Sequence, residues 1–551
     1  MIEDLWYKNA VIYSLDLDTF MDASGDGVGD FEGLMRRLDY LHWLGVDVVW
    51  LAPFHPSPKR DNGYDVSDYY GVDPDYGSLG DFVEFMHQAK KRGIKVIIDL
   101  VVNHTSNEHP WFKEARGDPD AKHHDWYVWS KKRPKDWQDG VVFPGVQDRT
   151  WTFDEAAKKY YYHRFYDFQP DLNIENPAVR TEIRRIMGYW LELGVAGFRV
   201  DAAPFIIETV RPGEKKPGEN IHHLEEMRHF LQWRRGDAVL LGEANVEPKE
   251  TKRYFGNGSG GVHMMFNFFV NQHLFYTLAT ADVEPLAAAL KVTKRIPHTA
   301  QWAQFLRNHD ELDLGRLTDE QREKVFARFA PEERMQLYER GIRMRLSHML
   351  GDRRHLELAY SLNFSLPGTP VIRYGDEIGM GDDLSLEERE AVRTPMQWSD
   401  EPQAGFSVAE KLIHPVIDGG IYGFDRVNVE AQRRDPNSLL NWTARLIRLR
   451  KECPEIGWGD WTILKTGCPG VLAIRYDWRG TSLLTLHNFG EKPQSVRIRP
   501  GVEGGERLFN LLAQDESHAD EKGVHKLVLE PYDYRWYRVG GLNYAIHRTK
   551  A

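Results

Sequence analysis

Residues Ala196 to Ala202 read AGFRVDA, an apolar run that places an arginine two residues before an aspartate. In an extended chain Arg199 and Asp201 leave the same face. A guanidinium beside a carboxylate favours its charged form, and a positioned, ionised carboxylate is a nucleophile.

Three further runs have the same form. AVLLGEAN, from Ala238, delivers Glu243; QFLRNHDE, from Gln304, delivers Asp310; KVIIDLVVNHTS, from Lys95, delivers Asn103 and His104. Strands that end in acids, amides and histidines suit a parallel barrel, whose strand C-termini form one rim where active sites sit. Other strand-like runs begin near Ala10 (AVIYSLDL), Asp47 (DVVWLAP), His263 (HMMFNF) and Pro370 (PVIRYGDE). Between the strands lie helical patterns such as FEGLMRRLDYLHWLG and VRTEIRRIMGYWLELG, closed by glycine, the usual helix stop. This alternation predicts an α/β fold, a (β/α)8 TIM barrel.

Length supports a multidomain reading: 551 residues, 41% hydrophobic and 12% aromatic, can bury a large core. The barrel is expected over 1–103 and 174–455, with an inserted subdomain after strand 3 at 104–173, rich in Trp, Tyr, His and charge. Segments 311–349, with the helical pattern EERMQLYERGIRMRLSHML, and 379–435 also follow strands and are expected to overhang the rim. From 456 to 551 short alternating strands separated by Gly, Pro and Asn predict an antiparallel β-sandwich domain. A net charge of −12 argues against nucleic-acid or anionic-membrane partners. No apolar run approaches the ~18 residues of a membrane span, and MIEDLWYKNA lacks the features of a secretory signal, so a soluble cytoplasmic protein is expected. The only two cysteines, Cys453 and Cys468, match no disulfide framework or metal motif and read as packing residues.

DLVVNHTS, QPDLN, GFRVDA, LGEAN, RNHDE and YGDE, in this order, resemble the signature segments of the α-amylase superfamily of retaining glycoside hydrolases and transferases. The resemblance implies that Asp201 is the nucleophile, Glu243 the general acid/base and Asp310 the carboxylate that orients sugar hydroxyls and favours a distorted ring. Retention needs one carboxylate to attack the anomeric carbon and one carboxyl to protonate the leaving oxygen, roughly 5 to 5.5 Å apart. Arg199 is expected to keep Asp201 charged, and neighbouring anions with partial burial to keep Glu243 protonated.

The same resemblance assigns His104 and His309 to sugar hydroxyls, Tyr64 to stacking on the ring, and Asp65 to the terminal glucose, closing the non-reducing end. Arg393, in VRTPMQWS, is expected to close over the first two sugar sites, with Phe165, Asn245 and Glu311 as further substrate contacts. The loop DASGDGVGD sets Asp22, Ser24, Asp26, the Val28 carbonyl and Asp30 in the oxygen-rich, glycine-bent pattern that suits Ca²⁺. It resembles the calcium loop of α-glucosidase-like members, with Ser24 where asparagine is usual, which leaves Mg²⁺ open. A second structural Ca²⁺, as in related members, is expected at Asn103, Asp171 and the carbonyls of Phe205, Ile206 and Glu208. No organic cofactor is implied.

Within the superfamily, SLPGTPVIRYGDEIGMGDDLSLEEREAVRTPMQWS with GEAN and NHDE is similar to the trehalose synthase group, which interconverts maltose and trehalose. Such a reaction traps the leaving glucose, turns it over and lets its anomeric hydroxyl attack the glucosyl-enzyme, with water kept out. An α-glucosidase of the oligo-1,6-glucosidase type would use the same triad and admit water. A non-catalytic amylase-like scaffold is disfavoured by the intact triad. A disaccharide is the expected partner, with homo-oligomerisation and a separate maltokinase left open.

Overall fold

The computed structural model describes residues 3–540 apart from 213, 215, 216 and 259. Eight parallel strands close a barrel: β1 Ile12–Leu15, β2 Val48–Leu51, β3 Lys95–Leu100, β4 Gly197–Val200, β5 Val239–Gly242, β6 Met264–Phe266, β7 Gln301–Phe305 and β8 Thr369–Arg373. Each strand pairs with its sequence neighbours, and β8 pairs back onto β1. The seventh begins at Gln301, three residues before the expected start.

Alternation along these strands divides the core in two. Ile12, Val48, Trp50, Ile97, Val239, Leu241, Met264, Phe266 and Val371 fill the barrel interior. The intervening residues, among them Val49, Ile98, Phe198, Leu240, Met265 and Ile372, pack outward under the helices. Arg199 and Asp99 stand side by side in register on β4 and β3, Arg199 also facing Leu241 of β5. The inward layer nearest the rim thus carries charge where lower layers are apolar. At the start of β4, Gly197 has φ 151°, and a Cβ there would lie 2.2 Å from the Val239 carbonyl oxygen, so only glycine lets β5 approach this closely.

The helices outside the barrel are locally specified. In α1, Phe31–Leu44, the Asp30 side chain accepts from Gly33 N and Gly45 closes the C-terminus at φ 98°. In α2, Leu79–Lys91, Ser78 and Asp81 form a capping box. α3, Pro177–Glu192, starts from an Asn176 cap with proline in its first turn, and α4, His222–Arg234, packs beside it.

Three segments rise over the rim. Between β3 and α3 lies a small antiparallel sheet of Trp129–Ser130, Trp151–Asp154 and Lys159–Tyr162. After β7, Leu312–Asp313, Gln336–Leu337 and Gly341–Ile342 form another. This corrects the expected helix over EERMQLYERGIRMRLSHML: only Leu346–Leu350 is α-helical there. Tyr338 and Glu339 turn left-handed at φ 53° and 60°, which breaks a right-handed helix, and Gly341 packs against Glu311. The third segment, 379–435, runs from the rim to the Asp22–Asp30 loop, where the Asp22 amide donates to the Phe406 carbonyl.

Beyond the helix Leu439–Lys451, a six-stranded antiparallel sheet faces a two-stranded one, with Ala473, Leu484, Val496, Ile498, Leu508 and Leu529 buried together. Residues 1–2 and 541–551, assigned from sequence to the barrel and the β domain, lie outside the described residues.

Candidate active site

Arg199 emerges from β4 almost wholly buried and donates from Nη1 to Asp201 Oδ1 at 2.6 Å and to Asp99 Oδ1 at 2.5 Å. Its other terminal nitrogen, Nη2, lies 2.7 Å from Glu243 Oε2. The Ala202 amide also donates to Glu243 Oε2, at 3.1 Å. Ala202 has φ 50°, a left-handed conformation that costs a non-glycine residue roughly 1 to 3 kcal/mol. That turn ends the strand at Asp201 and lets its carboxylate face the pocket instead of the core.

One guanidinium therefore serves three carboxylates. Burial pushes the Asp201 carboxyl well above the usual range; Arg199 opposes this, while Glu243, Asp99 and Asp310 reinforce it. Burial likewise pushes Asp99 up to about 6 against the pull of Arg199. The expectation that Arg199 keeps Asp201 charged is corrected by this balance, in which burial and the neighbouring carboxylates outweigh Arg199. The Glu243 side chain is more exposed (22%) than that of Asp201 (10%).

Asp310 is held in the opposite sense. Burial works to raise its pKa, but Arg389, His309, Arg393 and Arg199 outweigh that and hold it well below the usual carboxylate range. Arg389 Nη1 lies 3.0 Å and Arg393 Nη2 3.2 Å from Asp310 Oδ1. The site thus combines Asp201 and Asp99, whose carboxyls are pushed up by burial, with a firmly anionic Asp310.

Asp201, Glu243 and Asp310 line a cavity of about 520 Å³ together with Asp61, Tyr64, His104, Phe143, Phe165, Phe205, Asn245, Glu311, Asp313, Arg316, Arg340 and Arg389. Of the expected substrate contacts, Tyr64, His104, Phe165, Asn245 and Glu311 line this cavity. Tyr64 Oη bonds His309 Nε2 at 2.7 Å and the two rings stack, while the His104 ring nitrogen Nε2 meets the Tyr64 carbonyl at 3.0 Å. Burial pushes His104 down to about 4, so its imidazole is neutral.

Four other expected contacts, Asp65, His309, Arg393 and Arg199, do not line this cavity. Asp65 does not reach the cavity: it is fully buried and accepts from Ser57 Oγ and the amides of Arg60 and Asp61, shaping the loop. Asp61 lines the cavity instead, four residues earlier, and accepts from Gln169 Nε2 at 2.8 Å; burial pushes its pKa up to about 6. Arg393 and His309 stand one layer back, lining a smaller cavity with Asp16, Asp18 and Tyr76. Arg389, four residues before Arg393, is the arginine that enters the main cavity. Arg199 lies beneath the carboxylates and outside the cavity wall. The sequence signals for the missed residues were present: DNGYD carries two acids and EEREAVR two arginines, but spacing does not say which member turns inward.

At the far end, Asn245 Nδ2 donates to Asp313 Oδ2 at 2.7 Å, and Arg316 Nε donates to Asn245 Oδ1 at 3.2 Å. Arg340 Nη2 donates to the Val142 carbonyl, tying the second overhanging segment to the first. Tyr338 and Tyr166 both donate to Glu388 Oε2, at 2.8 and 3.1 Å, and Phe143 packs on both rings. All three segments meet over the cavity.

The expected cation residues fall at two places. In the loop, Asp22 accepts from Ser24, Ser407 and the Gly25 and Gly27 amides, Asp30 from Ala23, Ser24 and Gly33, and Asp26 from Val28. Burial opposes the Asp22 charge, but hydrogen bonds led by Ser407 lower its pKa. Asn103, Asp171, Phe205, Ile206 and Glu208 surround one small cavity between the inserted subdomain and the barrel. There Arg164 pairs with Glu208, and its amide donates to Asp171 Oδ1 at 2.8 Å. Both sets offer oxygen donors alone, which fits a hard divalent cation. No three His, Cys, Asp or Glu side chains converge as a metal cluster among the described residues, so main-chain, amide and hydroxyl oxygens would complete either site.

A closed eight-strand barrel with three carboxylates converging at its C-terminal rim defines a class of glycoside-bond enzymes. The family model for the α-amylase catalytic domain matches residues 14–459, and that for a sucrose hydrolase-like C-terminal domain matches 480–538. The chain belongs to the α-amylase family. A trehalose synthase of Thermus thermophilus is 43% identical over 99% of the chain, which spans 57% of that protein's length. The Trehalose synthase/amylase TreS of Mycobacterium tuberculosis is 42% identical over 90% of this chain and 83% of its own. Among solved structures, trehalose-6-phosphate hydrolase of Bacillus licheniformis superposes with a TM-score of 0.78 at 27% identity, covering 97% of this chain and 99% of that one. Among the described residues no helix is long and apolar enough to cross a membrane.

Proposed function

We propose that this protein is a trehalose synthase that isomerises maltose and trehalose reversibly by intramolecular glucosyl transfer. The observation that carries the reading is the joining of three overhanging segments above Asp201, Glu243 and Asp310, in a chain 43% identical to a trehalose synthase. Asp201 attacks the anomeric carbon of the non-reducing glucosyl unit while Glu243 gives its proton to the departing O4. The C1–O4 bond breaks and a glucosyl ester forms on Asp201. Asp310, kept anionic by Arg389 and Arg393, takes hydroxyl hydrogen bonds that strengthen as the ring flattens.

The freed glucose stays under the joined segments, turns, and presents its anomeric hydroxyl. Glu243 removes that proton, the new C1–O1 bond forms, and the ester on Asp201 breaks. Asn245, braced between Asp313 and Arg316, stands where it can hold the retained glucose. Water entering instead gives two glucose molecules. The superposed hydrolase shows that the fold alone does not choose between the outcomes. The closed roof favours transfer.

Product analysis from maltose tests the proposal: trehalose with minor glucose is expected. Glucose as the main product points to an α-glucosidase, and no turnover to a scaffold. We also propose that the Asp22–Asp30 loop takes Ca²⁺ or Mg²⁺ and that the Asn103–Asp171–Glu208 cavity takes a second cation. Both lie apart from the carboxylate triad and would serve stability, the second by tying the inserted subdomain to the barrel.

A further inference from the structure

Residues Glu388–Val392 form a single 3-10 turn in the third overhanging segment, and Arg393 closes it. Side chains three residues apart eclipse one another in such a turn, which puts Glu390 beside Arg393. The Arg393 amide donates to the Glu390 carbonyl at 2.9 Å, and Arg393 Nη1 donates to Glu390 Oε1 at 3.2 Å. Glu390 borders neither the catalytic cavity nor the smaller one behind it, so it stands outside both.

Three separate stretches of chain meet on this carboxylate. Asn62, from the loop after β2, donates from Nδ2 to Glu390 Oε1 at 2.6 Å. His414 Nε2 lies 2.7 Å from Glu390 Oε2, and the neighbouring Ile413 amide donates to the Gly27 carbonyl at 3.0 Å, which anchors that stretch. On its other side Arg393 donates from Nε to the His309 carbonyl at 2.9 Å and from Nη2 to Asp310 Oδ1 at 3.2 Å. A line of polar contacts therefore runs from His414 through Glu390 and Arg393 to Asp310, and a branch runs through Asn62 to its chain neighbour Asp61. Burial opposes the charge on Glu390, but His414, Arg393 and Asn62 outweigh it and lower its pKa. Burial also works to lower the His414 pKa, and Glu390 and Asp18 raise it. Both shifts favour the charged forms of the pair.

We propose that Glu390 is a positioning residue for the glucosyl unit, which holds Arg393 in register with Asp310 and steadies the loop that brings Asp61 to the cavity. The inference rests on the glucosyl-transfer reading above and names what fixes its third carboxylate. Arg393 has a choice of acids: Asp16 and Asp18 share the small cavity with it, and Asp16 is already engaged by Arg373. Glu390 occupies Nη1 and leaves Nη2 and Nε for the Asp310 side, so the planar fork meets Asp310 in one orientation. Without the charge at Glu390 the guanidinium is free to turn toward Asp18, and Asp310 loses one of its two arginines.

The test is steady-state kinetics of the full chain on maltose and on 4-nitrophenyl α-glucoside, run well below the melting temperature. Glu390→Gln keeps the shape and removes the charge; kcat should fall about tenfold or more on both substrates while KM stays within about twofold. Asn62→Gly removes the amide without straining a position whose φ is 46°, and should raise KM with kcat little changed. Adding Glu390→Gln to Arg393→Gln should cost little more than Arg393→Gln alone, because the two residues act as one unit. An unchanged kcat in Glu390→Gln, a loss that multiplies with that of Arg393→Gln, or a loss that merely follows the unfolded fraction and disappears on cooling overturns the proposal. Should Glu390→Gln not fold, the same loss is read in His414→Gln, which removes the cation behind Glu390, and full kcat there overturns it. If maltose gives mainly glucose while kcat still depends on Glu390, the trehalose synthase reading fails and the positioning role stands.

Discussion

Asp201 and Glu243 share a single guanidinium: Arg199 reaches the first with Nη1 at 2.6 Å and the second with Nη2 at 2.7 Å. The bridge holds the proposed nucleophile and acid as a close pair, as double displacement requires. With Asp99 on the same cation, the cluster carries more negative than positive charge when fully ionised, which is why it retains a proton.

Replacing Arg199 by Lys keeps one charge but loses the planar fork. We expect kcat to fall at least about a hundredfold and the acidic limb of the pH–rate profile to move to higher pH, because Asp201 then ionises less readily. An unchanged profile would refute the shared-cation account.

Asp201→Asn and Glu243→Gln should each lower turnover by roughly 10⁴-fold or more while leaving the far-ultraviolet spectrum intact. Azide should restore glycosyl-azide formation to the first variant only in the β configuration. Formation of the α product would show that Asp201 is not the attacking group.

Asp61 and Asp65 should separate cleanly. Asp61→Asn is expected to raise KM for maltose and lower kcat/KM by about tenfold or more, with little change in melting temperature. Asp65→Asn strips charge from the acceptor of Ser57 and two amides and should cost about 1 to 3 kcal/mol of stability. The reverse pattern would reinstate Asp65 as the sugar contact.

Glu377 gives stability a pH dependence of known sign. It is fully buried, accepts from Tyr13 and Tyr40 through Oε1, and burial raises its pKa from 4.5 to about 7. A carboxyl that holds its proton more tightly in the folded state favours folding fully below its unfolded pKa. That contribution is lost as pH rises through about 7, in all roughly 3 kcal/mol. Thermal melts from pH 4.5 to 7.5 should therefore show a shallower decline for Glu377→Gln than for wild type, and parallel curves would exclude this role.

Stripping divalent cations with a chelator should lower the melting temperature by several degrees, and adding Ca²⁺ should restore it. Asp22→Ala should abolish the response of the first loop. A wild-type melt indifferent to chelator and Ca²⁺ would leave both oxygen sets as metal-free turns.

The barrel was legible because alternating apolar runs and glycine-closed helices are local properties. All eight strand segments read from sequence occur in the structure, displaced by no more than a few residues. The helix assigned to EERMQLYERGIRMRLSHML failed because its apolar spacing suits a helix, whereas the backbone turns left-handed at Tyr338 and Glu339 and pairs with Leu312–Asp313. Pairing across that distance leaves no periodic mark in the sequence.

The sequence by itself determined which strand ends carry Asp201, Glu243 and Asp310, because side-chain alternation fixes the face and strand direction fixes the rim. Only the tertiary structure decided that Asp61 and Arg389 enter the cavity while Asp65 and Arg393 stand behind it, and that Arg199 is divided among three carboxylates. Loop direction and shared charge depend on groups on different strands and loops of the barrel, and these meet only when the barrel closes.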